Sequence, residues 1–126
     1  MGWARRAWAA LTELFTRSAV LAPAEPFFPV VPGTQPIGSV PDRAPARLAG
    51  VVKSIAIGPR GPSAVFEAEL VDRSGVARLI WLGQRQILGL EPGRSLICEG
   101  RVAVEDGVRV MRDPRYELIP VGTAPE

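Results

Sequence analysis

The chain contains no histidine and only one cysteine, and this scarcity excludes several classes of site. Without histidine, the commonest general base and metal ligand is missing. Cys98 has no partner for an internal disulfide, and its place in the apolar run Leu96–Cys98 is typical of a small buried side chain. We therefore expect no metal, no cofactor and no thiol chemistry. Cysteine usage of this kind also predicts a cytoplasmic protein.

Long apolar runs and aromatic residues are scarce as well. No run reaches the roughly twenty apolar residues of a membrane span. Arg5 and Arg6 precede an apolar stretch that superficially resembles a signal peptide, but Glu13 and Arg17 interrupt it. We expect neither secretion nor a membrane partner. Aromatic residues make up 6% of the chain, so few side chains are available to stack on bases.

The charge is nearly balanced, and its positive part is almost entirely arginine. Fourteen of the fifteen basic residues are arginine, Lys53 is the one lysine, and the net charge is +2. Such a small surplus is weak for a dedicated binder of phosphate backbones. The aspartates Asp72, Asp106 and Asp113 all occupy predicted turns, and no two carboxylates share a metal-binding motif. We therefore expect no catalytic residues and no enzyme.

Four segments follow one another along the chain. Residues 1–21 have apolar side chains at helical spacing, which predicts an amphipathic helix. Residues 22–45 hold seven of the thirteen prolines and predict a linker or extended arm, with a turn of helix near Gln35–Val40 that closes one end of the next domain. Residues 46–120 alternate between short strands and turns. Residues 121–126 predict a disordered tail.

The strand-rich segment predicts five strands, with a short helix at Gln84–Leu88 between the third and the fourth. The strands run over Arg47–Ile57, Ala64–Asp72, Gly75–Leu82, Ser95–Val104, and Val108–Ile119 with a break at Asp113–Pro114. Gly50 and Gly100 lie inside strands, where glycine permits the sharp bends of a small closed barrel. Alternation places one face of each strand inside the barrel, including Leu48, Val52, Phe66, Leu70, Leu79, Trp81, Leu96, Cys98, Val102 and Val104.

The run L-V-D-R-S-G-V-A-R-L-I-W-L-G, residues 70–83, predicts a tight hairpin because Asp and Ser bond their own backbone and Gly accepts positive φ. It resembles strands two and three of an OB-fold. The tail M-R-D-P-R-Y-E-L, residues 111–118, with G-R-S-L and E-G-R-V before it, looks most like the wedge domain of RecG-type helicases. The whole also resembles small stand-alone actinobacterial OB-fold proteins.

This resemblance implies an all-β, five-stranded Greek-key OB-fold barrel that binds nucleic acid without catalysis. No phosphate-loop motif is present, so the chain cannot run the ATP motor of a helicase. The implied ligand is single-stranded or junction DNA, with RNA as an alternative, and the implied setting is DNA repair or recombination.

OB-folds bind on the face of strands two and three and on the flanking loops, which gives a set of candidate contacts. They are Lys53, Arg60, Arg78, Trp81, Arg101, Arg109, Arg112 and Arg115. For Trp81 the alternation also favours a place in the core, so stacking and packing stay as alternatives. Glu67 and Glu69 are expected to point outward beside Arg78, where pairing would weaken binding.

The alternative function is an OB-fold protein-interaction module that docks a partner through its N-terminal helix. The apolar stripe of that helix consists of Trp3, Trp8, Leu11 and Phe15. From Ala46 onward the chain has eleven basic and ten acidic residues, and this balance favours the protein-interaction hypothesis. A helix lying on a membrane surface is the weakest interpretation, because its charge is low.

Overall fold

A computed structural model of the chain describes residues 28–58 and 64–120. The predicted helix over 1–21, the tail over 121–126 and Arg60 lie outside the described residues. Within them the chain forms one 3₁₀ turn and six strands. They are η1 (Ile37–Ser39), β1 (Ala44–Ile57), β2 (Val65–Val71), β3 (Val76–Leu82), β4 (Ser95–Glu105), β5 (Val108–Arg112) and β6 (Arg115–Leu118).

The strands form one sheet that closes on itself. Neighbours follow the order β1-β2-β3-β5-β4, and β4 pairs back with β1. Every pair is antiparallel except β3 with β5, which is parallel. β5 and β6 are the two halves of the predicted fifth strand and pair with successive parts of β4. The predicted all-β, five-stranded closed barrel is therefore confirmed.

β1 is long because it pairs with two neighbouring strands along its length. Ala44–Val51 pairs with β4, and Val51–Ile57 pairs with β2. A Cβ atom added to Gly50 would lie 2.5 Å from the carbonyl oxygen of Val71, so glycine is required where the two strands approach. A register shift between Val52 and Ser54 leaves Lys53 in a bulge. The bend predicted from Gly50 thus lies where β1 passes from one neighbour to the other.

The barrel interior holds the side chains that alternation predicts, except that Val104 is only partly buried. Trp81 lies among them: it contacts the Phe66 and Tyr116 rings edge to face, with centroids 6.0 and 5.9 Å away. Its Nε1 atom donates a hydrogen bond of 3.2 Å to the carbonyl oxygen of Pro114. The break in the fifth strand is therefore tied to the core.

The 3₁₀ turn η1 closes one end of the barrel, as the sequence predicts. Ile37 is fully buried and belongs to the core. The N–H of Ile37 donates to Asp72 Oδ2 over 3.0 Å, and the N–H of Gly38 donates to Ser74 Oγ over 2.8 Å. The side chains of the β2–β3 turn thus hold η1 in place over the end of the barrel.

The prediction of a helix at Gln84–Leu88 is wrong. The chain from Gly83 to Arg94 forms turns and bends instead. Gly83 and Gly89 have φ values of +76° and +79°, and the five residues between them are too few to sustain an isolated helix. The loop still completes the barrel, because Leu90 is buried in the core.

Candidate nucleic-acid interface

The outer surface of β2 and β3 is the surface that OB-folds use for ligands, and we call it the strand face. Its side chains alternate along each strand with buried ones. It is formed by Val65, Glu67, Glu69, Val71, Val76, Arg78, Ile80 and Leu82.

Arg78 at the centre of the strand face is neutralised by two carboxylates. Its Nε atom lies 3.0 Å from Glu67 Oε2 and 3.9 Å from Glu69 Oε1. Burial raises the pKa of Glu69, while Arg78 and Lys53 partly offset that rise. The predicted pairing of both glutamates with Arg78 is confirmed. Lys53 lies half-buried in the β1 bulge, beside the same acidic group.

Arg112 and Arg115 are also paired with glutamates. Arg112 donates two hydrogen bonds to Glu105, of 2.6 and 3.0 Å, and they hold the pKa of that carboxyl below its usual range. Arg115 Nη2 lies 3.0 Å from Glu99, which also accepts a hydrogen bond from Arg47. Arg112 is therefore paired with a carboxylate of its own, whereas Arg115 shares its carboxylate with Arg47.

Arg101 and Arg109 differ, because backbone carbonyl groups hold them. Arg101 Nη1 donates a hydrogen bond of 2.6 Å to the carbonyl oxygen of Arg43. Arg109 Nε donates one of 2.9 Å to the carbonyl oxygen of Val40. The Arg43 side chain is 88% exposed, and its Nε lies 3.9 Å from Asp42. We call Arg43, Arg101 and Arg109 the barrel-end cluster, since Val40–Arg43 directly follows η1.

Trp81 does not offer a stacking surface. It is 6% exposed, and Phe66 and Tyr116 lie against it inside the barrel. The prediction that Trp81 contacts nucleic acid is therefore wrong, and its ring packs in the core instead. Tyr116 is engaged as well, because its hydroxyl donates to the carbonyl oxygen of Leu88 over 2.8 Å.

Sequence reasoning missed Arg43. The residue lies in the proline-rich segment, which was expected to be a linker or arm, and its backbone has a φ of +63°. A glycine or an asparagine in a sequence indicates that a residue with positive φ is possible, whereas an arginine gives no such indication. Its place beside Arg101 follows only from the pairing of β1 with β4.

Two further features of the described residues bear on function. Residues 28–58 and 64–120 contain no group of three or more acidic or cysteine side chains placed to hold a metal ion. In the same part of the chain, no helix is long and apolar enough to cross a membrane.

Comparisons with known proteins identify a fold but no family. No protein-family model matches the chain, and neither does any curated protein. Among solved structures, the crystal structure of the p204 HINb domain matches with a TM-score of 0.50 and 14% identity over 64% of this chain. The barrel is an OB-like fold. The chain spans 42% of the length of that structure, and at this identity the likeness shows the fold alone.

Proposed function

We propose that this protein is a non-catalytic OB-fold protein that binds nucleic acid, with single-stranded or junction DNA as the ligand and RNA as the alternative. The observation that carries the proposal is the closed ring β1-β2-β3-β5-β4. Five-stranded barrels of this kind bind oligonucleotides and oligosaccharides, and they use loops and strand surfaces rather than a catalytic pocket. The resemblance to RecG wedge domains, and with it a setting in repair or recombination, stays a prediction.

A role without catalysis agrees with how the aspartates are used. Asp72 accepts hydrogen bonds from Ile37, Ser74 and Gly75, and Asp113 Oδ1 accepts one from the N–H of Leu82. Asp106 has a φ of +53° in the two-residue turn between β4 and β5. The carboxylates of Asp72 and Asp113 thus accept backbone hydrogen bonds, which supports the proposal that the protein binds its ligand and does not transform it.

The arrangement of charge predicts modest affinity. Arg78, Arg112 and Arg115 are paired with glutamates, so few cations remain to replace the counterions of a strand. Each phosphate contact with a single strand contributes about 0.7 to the slope of log affinity against log salt. We expect a slope of roughly 2, well below that of a dedicated nucleic-acid binder.

Fluorescence anisotropy with labelled single-stranded DNA, single-stranded RNA and forked DNA tests the proposal. The full chain is titrated against each probe at salt concentrations between about 50 and 200 mM. Saturable binding that weakens with salt supports it. Absence of binding at tens of micromolar protein, or binding that ignores salt, would overturn it.

The alternative function, a protein-interaction module, is favoured by the composition of the strand face. Leu82 is 55% exposed there, and Ile80 and Val65 next to it are partly exposed. A surface with apolar side chains and balanced charges suits a protein partner better than a polyanion. Two variants discriminate the functions: W8E/L11E alters the predicted N-terminal helix, and Leu82→Ser alters the strand face. Loss of a defined partner with unchanged nucleic-acid affinity supports the alternative, and loss of nucleic-acid affinity alone contradicts it.

A further inference from the structure

We infer that the phosphate backbone of a bound strand is held by the barrel-end cluster, Arg43, Arg101 and Arg109, and not across the strand face. The inference rests on the proposed function and names the surface and the chemical group through which it acts. Three observations carry it: the partners of these arginines, their shared anchoring segment, and the backbone conformation of Arg43.

The partners of Arg101 and Arg109 orient these side chains without neutralising them. Within the described chain, neither residue has a carboxylate oxygen inside the 4.0 Å limit of an ion pair. A carbonyl group is a dipole, so it fixes a guanidinium while leaving its charge and its other N–H donors to a ligand. Donors held in this way are suited to phosphate oxygens, which accept paired hydrogen bonds.

The anchors of the two side chains belong to one short segment. Arg109 is tied to Val40 and Arg101 to Arg43, three residues further along. Because successive Cα atoms are 3.8 Å apart, these anchoring residues lie within roughly 11 Å of each other. A few nucleotides of one strand span that length. One strand can therefore contact both guanidinium groups.

Arg43 adopts a backbone conformation that favours glycine. Its φ is +63°, and its N–H donates to the carbonyl oxygen of Val102 over 2.8 Å, which fixes the residue against β4. An arginine there is less stable than glycine would be, and its side chain, which is 88% exposed, gains little from packing. Backbone strain kept at an exposed cationic residue indicates that the side chain has a role in binding.

The carboxylates near the cluster do not cancel its charge. Asp42 Oδ1 accepts the N–H of Val104 over 2.8 Å, and its other oxygen lies 3.9 Å from Arg43. Glu105, which interacts electrostatically with Asp42, is bound by Arg112 through two hydrogen bonds. Within the described residues, Asp42 is thus the one carboxylate that forms an ion pair with a member of the cluster. On the strand face, by contrast, Glu67 and Glu69 stand beside Arg78 and repel a phosphate.

The test compares two double variants of the full chain that remove the same number of positive charges. R101A/R109A removes the carbonyl-held pair, and R112A/R115A removes the glutamate-paired arginines. With a labelled single-stranded DNA probe, R101A/R109A is expected to weaken binding at least about tenfold. Its salt slope should fall by about 0.7 for each lost phosphate contact with the single strand. R112A/R115A leaves Glu105 without its arginine partner, so it is expected to weaken binding too, but clearly less than R101A/R109A.

A third variant, R43G, separates binding from stability. Glycine relieves the backbone at this position, so the melting temperature should stay the same or rise while DNA affinity falls. Equal weakening by both double variants, or unchanged affinity in R101A/R109A and R43G, overturns the inference while leaving the proposed function standing. If the unmodified chain binds neither DNA nor RNA, the proposed function fails first and the inference fails with it.

Discussion

The Oδ2 atom of Asp72 accepts a hydrogen bond of 3.0 Å from the backbone N–H of Ile37, 35 positions earlier in the chain. Its Oδ1 atom accepts three more, from the N–H and hydroxyl of Ser74 and from the N–H of Gly75. One carboxylate thus shapes the β2–β3 turn and holds the 3₁₀ turn that closes the barrel.

Asp72→Ala is expected to destabilise the protein by about 2 to 4 kcal/mol, because it leaves several backbone donors without their acceptor. Urea unfolding should show a lower midpoint with an unchanged slope. Asp106→Asn is the matched control, since Asn tolerates the φ of +53° in its own turn. Equal midpoints for the two variants would show that the link to Ile37 contributes little.

Trp81→Phe is expected to cost about 2 kcal/mol of unfolding free energy through a lost hydrogen bond to Pro114 and a cavity in the core. Nucleic-acid affinity should not change, because the ring does not reach the surface. Leu82→Ala, at an exposed neighbouring position, serves as the control for stability. A variant that keeps its stability but loses DNA affinity would restore the stacking role.

E67Q/E69Q is expected to tighten the binding of single-stranded DNA a few-fold at low salt, because it removes two negative charges beside Arg78. E91Q/E117Q changes the net charge equally at two exposed positions away from Arg78. It should have a smaller effect. Anisotropy titrations of both variants at low and high salt measure the difference. The same gain in the two variants would point to net charge alone.

Glu69 and Glu105 are expected to titrate on opposite sides of their ordinary pKa of 4.5. Burial raises the pKa of Glu69, so the folded protein holds that proton more tightly than the unfolded chain. Its contribution to stability is present at low pH and is lost as pH rises through 4.5 to the folded value. The unfolding free energy of the unmodified protein should therefore fall relative to E69Q over that range.

Side-chain NMR titration checks both directions. Glu69 should give a midpoint above 4.5 and Glu105 one below it, since Arg112 stabilises the ionised Glu105. In R112A the Glu105 midpoint should rise toward the ordinary value, while that of Glu69 stays high. A Glu69 midpoint at or below 4.5 would mean that its surroundings do not penalise the charge.

Cys98 is expected to be inert in the folded protein. The residue is 1% exposed, and burial raises the pKa of its thiol to about 12, so almost no reactive thiolate forms near neutral pH. A thiol-specific chromogenic reagent should react with the chain only after denaturation. Rapid reaction of the native protein would show that the strand carrying Cys98 opens readily.

Local chemistry explains which predictions were right. The Asp-Arg-Ser-Gly and Asp-Gly turns are encoded by residues next to each other, and alternation reports which side of a strand is apolar. The break at Asp113–Pro114 follows from the missing N–H of proline. The predicted helix at Gln84–Leu88 is absent because a loop between the two glycines also packs the apolar side chain of Ile87 against the core.

By itself, the sequence determined the strands, their turns and the buried faces, since these depend on neighbouring residues and on a period of two. Only the tertiary structure decided which arginines have a carboxylate beside them. Arg78 and Glu67 meet through the pairing of β2 with β3, and Arg101 and Arg43 meet through the pairing of β1 with β4. Which residue lies beside a given arginine depends on the register of the paired strands, and the amino-acid composition does not determine that register.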